Sequence, residues 1–445
     1  MSLVQKLPAG PLDIVGDIHG EFDALCALLQ SLGYDAQGIH VEGRTLVFVG
    51  DFCDRGPNSP AVFALVQRLV DAGNAVAVLG NHEINLLRND AKSGAGWFFD
   101  ERWERDQKNY APFARPSDAE RSEIIEWLAQ LPLVLERGDL RVVHAVWQDE
   151  QVDAVRAQPL GAVAQAYGAW QQQAQQAAGA MGWHASIAAE KNAWGGDLED
   201  EQRQPPFMHA LAAYGVHQQM ANPIKVLTSG VERKGAAPFF SSGKWRFAER
   251  VAWWDAYDQP TPVVVGHYWR RLYPVDRAAL GKGDPDLFAG IDPHSWHGQR
   301  GNVMCVDFSA GGRWQERKAG TPVGQNFKLA ALRWPEKTLH WDDGSQTNTV
   351  GFGVPAQPSQ RAVMDAEELL FLLWQIDPMG SGCNANEDME DEYWSQARDI
   401  AVRLAAGEDP RSAVLAVFDA YFWDDCLLEG ARTQSLAHIL AALRA

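Results

Sequence analysis

Three short apolar runs in the first 85 residues each end in glycine and then deliver a polar group where a strand would stop. Leu12 to Val15 leads into Gly16-Asp17-Ile18-His19-Gly20, Thr45 to Val49 into Gly50-Asp51-Phe52-Cys53-Asp54-Arg55-Gly56, and Ala75 to Leu79 into Gly80-Asn81-His82-Glu83. Between the first two runs, Phe22, Leu25, Leu28, Leu29 and Leu32 recur with helical spacing, and after Asn58 so do Val62, Leu65, Val66 and Leu69. This βαβαβ rhythm predicts a parallel sheet with right-handed crossovers, whose strands all present their carboxyl ends at one edge. Ligands bind at that edge in α/β sheets. One such strand end could be a helix-capping aspartate with a surface ion pair. Three of them bring Asp17, His19, Asp51 and Asn81 to one place, which structure alone does not require.

The order and spacing of these motifs resemble the calcineurin-like metallophosphoesterases, and more narrowly the branch of Ser/Thr protein phosphatases and diadenosine tetraphosphate hydrolases. Asp54-Arg55-Gly56 points to that branch. The resemblance implies a dinuclear centre of two divalent metal ions, with Asp17, His19 and Asp51 at the first and Asp51, Asn81 and two further histidines at the second. His144 and His267 fit those last places, because each ends an apolar strand, Leu140 to Val143 and Val263 to Val265. Mixed Asp, His and Asn ligation suits manganese, iron or zinc, with magnesium also chemically admissible. Two cations about 4 Å apart acidify a water between them and neutralise the phosphoryl oxygens, so the resemblance implies attack on phosphorus by a metal-bridging hydroxide. It further implies His82 as general acid, oriented by Asp54, and Arg55 as a fork onto the phosphoryl oxygens.

Two departures bear on the substrate. Leu79 stands where many protein phosphatases of the branch carry arginine before Gly-Asn-His, as in diadenosine tetraphosphate hydrolases, and Tyr268-Trp269 replaces a Gly-His-x-His ending. Another cation must then serve the phosphate. Arg250 and Arg270 are the candidates, in a stretch from Lys244 to Arg271 rich in tryptophan. That stretch reads either as a surface amphipathic helix with buried tryptophans or as a cationic, aromatic wall of the site, Trp245 included.

The remaining chain suggests further units. Ala and Gln dominate from about 150 to 222 without strand patterning, an inserted helical cap; strands resume near Ile224–Leu227, 262–265, 302–308 and 327–334. The expected architecture is α/β: a two-sheet metallophosphoesterase sandwich flanked by helices, with the inserted cap and a C-terminal small helical bundle. The catalytic domain is expected over 1–343, a turn-rich linker over 344–361, and the helical domain over 362–445.

A net charge of −19 across 445 residues argues against a nucleic-acid groove as the main surface. Five scattered cysteines without metal-type pairing suit a reducing cytoplasm, and no apolar run is long enough to span a bilayer. The expected partner is a phosphorylated substrate, phosphoprotein or nucleotide, with the C-terminal helices offering a surface for a protein partner. Phosphate monoester hydrolysis of the Ser/Thr protein phosphatase type is the first reading. Diadenosine polyphosphate or nucleotide hydrolysis is the second. A metal-binding interaction module with vestigial catalysis is the third, against which stand the intact Asp54, Arg55 and His82.

Overall fold

The computed structural model describes residues 2–241, 243–277, 283–355, 364, 366–385, 389, 391–405 and 408–444. Among the described residues the strands are β1 (Val4–Lys6), β2 (Leu12–Val15), β3 (Thr45–Phe48), β4 (Ala75–Ala77), β5 (Val134–Arg137), β6 (Leu140–Val143), β7 (Glu232–Ser241), β8 (Lys244–Arg250), β9 (Val263–Val265), β10 (Val303–Cys305), β11 (Ala330–Trp334), β12 (Thr338–Trp341) and β13 (Gln346–Asn348). Eleven of them make two main sheets, ordered β13-β12-β11-β2-β3-β4 and β1-β5-β6-β9-β10. The strands that bear the motifs are parallel within each sheet: β2, β3 and β4 in one, β6, β9 and β10 in the other.

Alternation along the strands builds the layers, because successive side chains point to opposite faces. Ile14, Val47 and Val49 share a buried cluster with Val142, Val264 and Met304 of the other sheet, the interior of the sandwich. Val15, Leu46 and Phe48 turn the other way, onto Leu25 and Leu28 of the helix Phe22–Leu32 and Phe63 and Val66 of the helix Ser59–Asp71. With both faces covered, these strands read as continuous apolar runs. Asn58 starts the second helix by accepting a hydrogen bond from the Ala61 amide, and Gly33 closes the first in a left-handed conformation.

Helices fill the stretch expected as a cap: Asp149–Arg156, Val163–Ala180, Trp183–Trp194 and His209–Met220. Two local expectations fail. Ile224–Leu227 is not a strand but lies in the helix Pro223–Ser229, where Asn222 accepts from the Ile224 and Lys225 amides and proline takes the first turn. A short apolar run cannot distinguish the two forms by periodicity, and here the cap decides. Lys244 to Arg250 is not helical either: β8 pairs with β7 as an antiparallel hairpin, irregular between Lys234 and Phe239. Its Phe247 is buried with Met208 and Ala212, so packing against the helix His209–Met220 holds it. β13 falls inside the stretch expected as a linker and pairs with β12.

The chain divides into two compact units, Met1–Pro355 and Ala356–Ala445. In the second, helices Ala366–Ile376, Trp394–Ala405, Pro410–Tyr421 and Arg432–Arg444 enclose a core that includes Leu369, Leu373, Ile400, Phe418 and Ile439. Residues 362 and 363, where that domain was expected to begin, lie outside the described residues. Among the described residues no helix is long and apolar enough to cross a membrane.

Candidate metal centre

The loops leaving β2, β3 and β9 turn sharply, and besides Gly20 and Gly50 several residues at the turns are not glycines. His19 (φ 49°), Asp51 (53°), Asp54 (75°), Arg55 (68°), His267 (71°) and Trp269 (53°) all adopt positive φ. Such conformations cost non-glycine residues about 1–3 kcal/mol each and persist where surrounding bonds over-determine them. Those bonds are present. The Ile18 and His19 amides both donate to the Asp51 carbonyl, at 3.0 and 2.9 Å. The fully buried Glu83 carboxylate accepts from the amides of Asp51 (2.8 Å), Phe52 (2.9 Å) and Gly80 (2.9 Å), tying two motif loops together. Gly266 is required by close approach: a Cβ there would sit 2.0 Å from Asp17 Oδ1.

The six expected ligands come from five segments and converge. Asp51 lies at the middle, its carboxylate 3.7 Å from His19 Nε2 and 3.4 Å from His144 Nε2. The Asn81 side-chain oxygen is 3.3 Å from His144 Nε2 and 2.9 Å from His267 Nδ1. Asp17 Oδ2 accepts from the His267 amide at 2.9 Å. Each imidazole has its second nitrogen on a carbonyl: His19 Nδ1 on Cys53 (2.8 Å), His144 Nδ1 on Val49 (2.7 Å) and His267 Nε2 on Ser229 (3.1 Å). A carbonyl behind the ring is the usual way to orient a metal-binding histidine. Two groups, His19-Asp51-His82 and Asp51-His144-His267, each have ligand atoms within 4.8 Å of one another, and Asp51 belongs to both.

The electrostatics favour a cation. Burial, followed by the charge of Asp307, pushes the Asp17 carboxyl well above its ordinary range. Asp17 Oδ1 is buried with no hydrogen-bond partner among the described residues. Burial opposes the charge on Asp51, but His144, His82 and His19 outweigh it and hold the group well below the usual carboxylate range. Burial and then Arg55 keep His19 well below the usual imidazole range, and burial and then Arg250 do the same for His267. Burial opposes the His144 cation, but Asp51 outweighs it and pushes that imidazole up to about 10. Crowded buried carboxylates, an orphaned oxygen and imidazoles with preset rings form an oxygen and nitrogen donor set that fits divalent metal.

Beside this cluster stand His82, Asp54 and Arg55. His82 Nδ1 is hydrogen-bonded to Asp54 Oδ2. Burial works against the His82 cation, yet Asp51 and Asp54 outweigh it and the imidazole titrates above its ordinary value. Arg55 Nη2 lies 3.2 Å from His82 Nε2, Nη1 lies 3.0 Å from His19 Nε2, and the guanidinium covers the Trp269 ring at 4.9 Å. Trp97 donates its indole N–H to Asp54 Oδ1 at 2.6 Å and stacks on Phe63. The same loop fixes Arg55, whose amide donates to the Gly94 carbonyl at 3.1 Å, while the Gly94 and Gly96 amides donate to Asp106.

Of the two expected phosphate arginines, Arg250 is exposed and close enough for its charge to act on His267, whereas Arg270 does not face the cluster. Arg270 is buried: its guanidinium donates to the carbonyls of Asp292 (2.7 Å) and Ser295 (2.9 Å) and covers Phe288. Three residues after His267, its side chain turns inward to tie down the 292–295 loop. Trp245 is likewise remote, donating to the Asp200 carbonyl and packing on Phe240; the indole beside the centre is Trp269. Sequence reasoning missed three groups. Asp307 follows β10 as the other acids follow their strands and accepts from the Trp269 and Ser309 amides; its strand-end position was the available signal. Glu83 closes the third motif without a role that its sequence position reveals, and nothing in the sequence joined Trp97 to Asp54.

Residues 10–205 match the family model of the calcineurin-like phosphoesterases. Those residues carry a calcineurin-like phosphoesterase domain. Curated relatives include the asymmetrical bis(5'-nucleosyl)-tetraphosphatase PrpE of Bacillus velezensis, 38% identical over 146 residues, 30% of this chain and 55% of the relative. The symmetrical bis(5'-nucleosyl)-tetraphosphatase of Vibrio campbellii is 35% identical over 132 residues, 30% of this chain and 43% of the relative. The matched stretch thus spans about half the length of these relatives. Among solved structures, the cold-active protein-tyrosine phosphatase of a psychrophilic Shewanella aligns over 78% of this chain and 82% of its own, with 17% identity and a TM-score of 0.39. The calcineurin-like phosphoesterase motifs of this chain lie within its first 85 residues, and His144 is also inside the matched region.

Proposed function

We propose that the chain is a phosphoesterase using two divalent metal ions, one at Asp17, His19 and Asp51, the other at Asp51, Asn81, His144 and His267. The observation that supports this reading most is the placement of Asp51 between His19 on one side and His144 and His267 on the other. Asp17 joins through the His267 amide and Asn81 through both of those histidines, while His82, also beside Asp51, is assigned the proton rather than a metal. Bound there, such ions supply Lewis-acid polarisation of the phosphoryl group and a water acidic enough to act near neutral pH. The protein supplies the rest. Arg55, already directed between His19 and His82, binds phosphoryl oxygens through its planar fork. His82 carries a proton on Nε2 to the leaving oxygen, with Nδ1 held by Asp54 and Asp54 held in turn by Trp97. Glu83 and the positive-φ turns keep these groups placed before substrate arrives.

For substrate, the reading favoured is a nucleotide polyphosphate of the dinucleoside type rather than a phosphoprotein. Leu79 in place of a phosphate-binding arginine and the tetraphosphatase names of the curated relatives support it. The phosphoprotein reading remains the alternative. The deciding experiment compares kcat/KM for diadenosine tetraphosphate, a phosphoserine peptide and p-nitrophenyl phosphate on manganese-loaded protein. A higher value for the dinucleotide than for the peptide is expected; the reverse order would overturn the substrate reading, and no turnover of any of the three would overturn the enzymatic one.

A further inference from the structure

Five basic residues lie beyond the ligand set, and the charge of one of them, Arg250, acts on His267. β8 places Arg246 and Arg250 on one face by its two-residue period, while Phe247 turns to the opposite face and is buried against the helix His209–Met220. Glu232 is paired with Arg250 in the hairpin register. Two residues before the hairpin ends the helix Pro223–Ser229, whose Ser229 carbonyl lies 3.1 Å from His267 Nε2. Lys225 is one turn back, about 6 Å along that helix. Its Nζ donates to the Gln218 carbonyl at 2.9 Å and stands 5.8 Å from the centre of the Tyr167 ring. Arg88 covers the same ring at 3.9 Å. It follows the helix Asn81–Leu87, about 9 Å along from His82, and pairs with Asp90, as does Lys92.

We propose that Lys225, Arg246 and Arg250, backed by Arg88, form a second anion subsite that takes the distal phosphates of a polyphosphate ester whose scissile phosphate lies at Asp51. The proposal deepens the substrate reading above and rests on it for the position of the scissile phosphate. The charges stand in one another's way. Burial, and then Arg88, hold the Lys225 ammonium down to about 8, and burial, despite Glu232, lowers Arg246, with Arg250 adding to the effect. The acids among them are Glu232, whose carboxyl is raised by burial against the pull of Arg250, Arg246 and Lys225, and Asp90, paired with Arg88 and Lys92. A chain whose net charge is −19 thus gathers cations at one place against their mutual repulsion, and a polyanion bound there relieves it. A phosphoserine chain has no second phosphate to occupy it.

The test uses the full chain in two arms. Calorimetry with inorganic tripolyphosphate in metal-free buffer measures the subsite apart from turnover. Lys225→Gln and Arg246→Gln are expected to weaken binding at least fivefold each, and Lys225→Arg, which keeps the charge, to stay within twofold of the unaltered protein. In the kinetic arm, with manganese, the loss of kcat/KM for Lys225→Gln is expected to be at least tenfold greater on adenosine tetraphosphate than on p-nitrophenyl phosphate. Tripolyphosphate binding unchanged in both glutamine variants, or equal kinetic losses on both substrates, would overturn the subsite. Binding that behaves as expected in a protein that turns over neither substrate would keep the subsite and overturn the enzymatic reading instead.

Discussion

The strand ends at 16–20, 50–56 and 80–83 and the stretch at 223–250 that follows the expected cap flank the same centre, yet they are built by different means. At the strand ends, position follows from regular backbone: parallel strands stop together, and the residue after each stop is carried to a shared edge. In the later stretch, secondary structure follows from packing and capping. Lys244 to Arg250 is a strand because Phe247 needs the surface of the helix His209–Met220, and Ile224–Leu227 is helical because Asn222 caps it. A chemical group is easiest to place from sequence when the element carrying it has its form set locally.

The largest effect should come from the residue that both metal groups share. Asp51→Asn is expected to lower metal content, measured by elemental analysis, and to reduce kcat/KM by more than about 10³-fold; full occupancy in this variant would break the picture of a shared ligand. Next come the proton donor and its support. His82→Ala should retain metal and lose about 10²–10⁴-fold in turnover, most for basic leaving groups. Trp97→Phe keeps the stack on Phe63 but removes a hydrogen bond to a carboxylate, worth about 1.5–3 kcal/mol. Its kcat should therefore fall about 10- to 150-fold, with the same leaving-group bias at unchanged metal content. A uniform loss across leaving groups would make Trp97 a packing residue only.

Two smaller changes examine the other side of the comparison. Arg270→Met removes a guanidinium from buried carbonyls, each unpaired acceptor costing about 1–3 kcal/mol. A lower Tm with kcat per folded molecule nearly intact is expected; a selective loss of kcat would return Arg270 to the site. Asn222→Ala should cost about 1 kcal/mol through loss of the helix cap, read by chemical denaturation. A larger fall in catalysis than in stability would mean that Ser229, at the far end of that helix, positions His267 more strictly than its single hydrogen bond suggests.

The parallel core, the helices that cover it and the meeting of Asp17, His19, Asp51, Asn81, His144 and His267 were legible because each rests on a short local pattern. Arg270 was misplaced because chain proximity to His267 says nothing of side-chain direction after a positive-φ turn at Trp269. Glu83 and Trp97 were missed for a related reason. Their contacts to Asp51 and Asp54 cross 32 and 43 residues, and neither residue type announces such a bond. β12 and β13 close the edge of a sheet whose period-two signal is too short to separate from turn-rich chain.

The positive-φ turns have a consequence for how this protein would change under selection. At 19, 51, 54, 55, 267 and 269 the backbone would relax with glycine, and in part with asparagine, and each of those positions instead carries a side chain turned to the centre or to the loops around it. A library screened for thermal resistance alone would drift toward glycine there and discard function while improving the scaffold. Heat-selected variants would then mark the centre by what they lost, without a substrate ever being known.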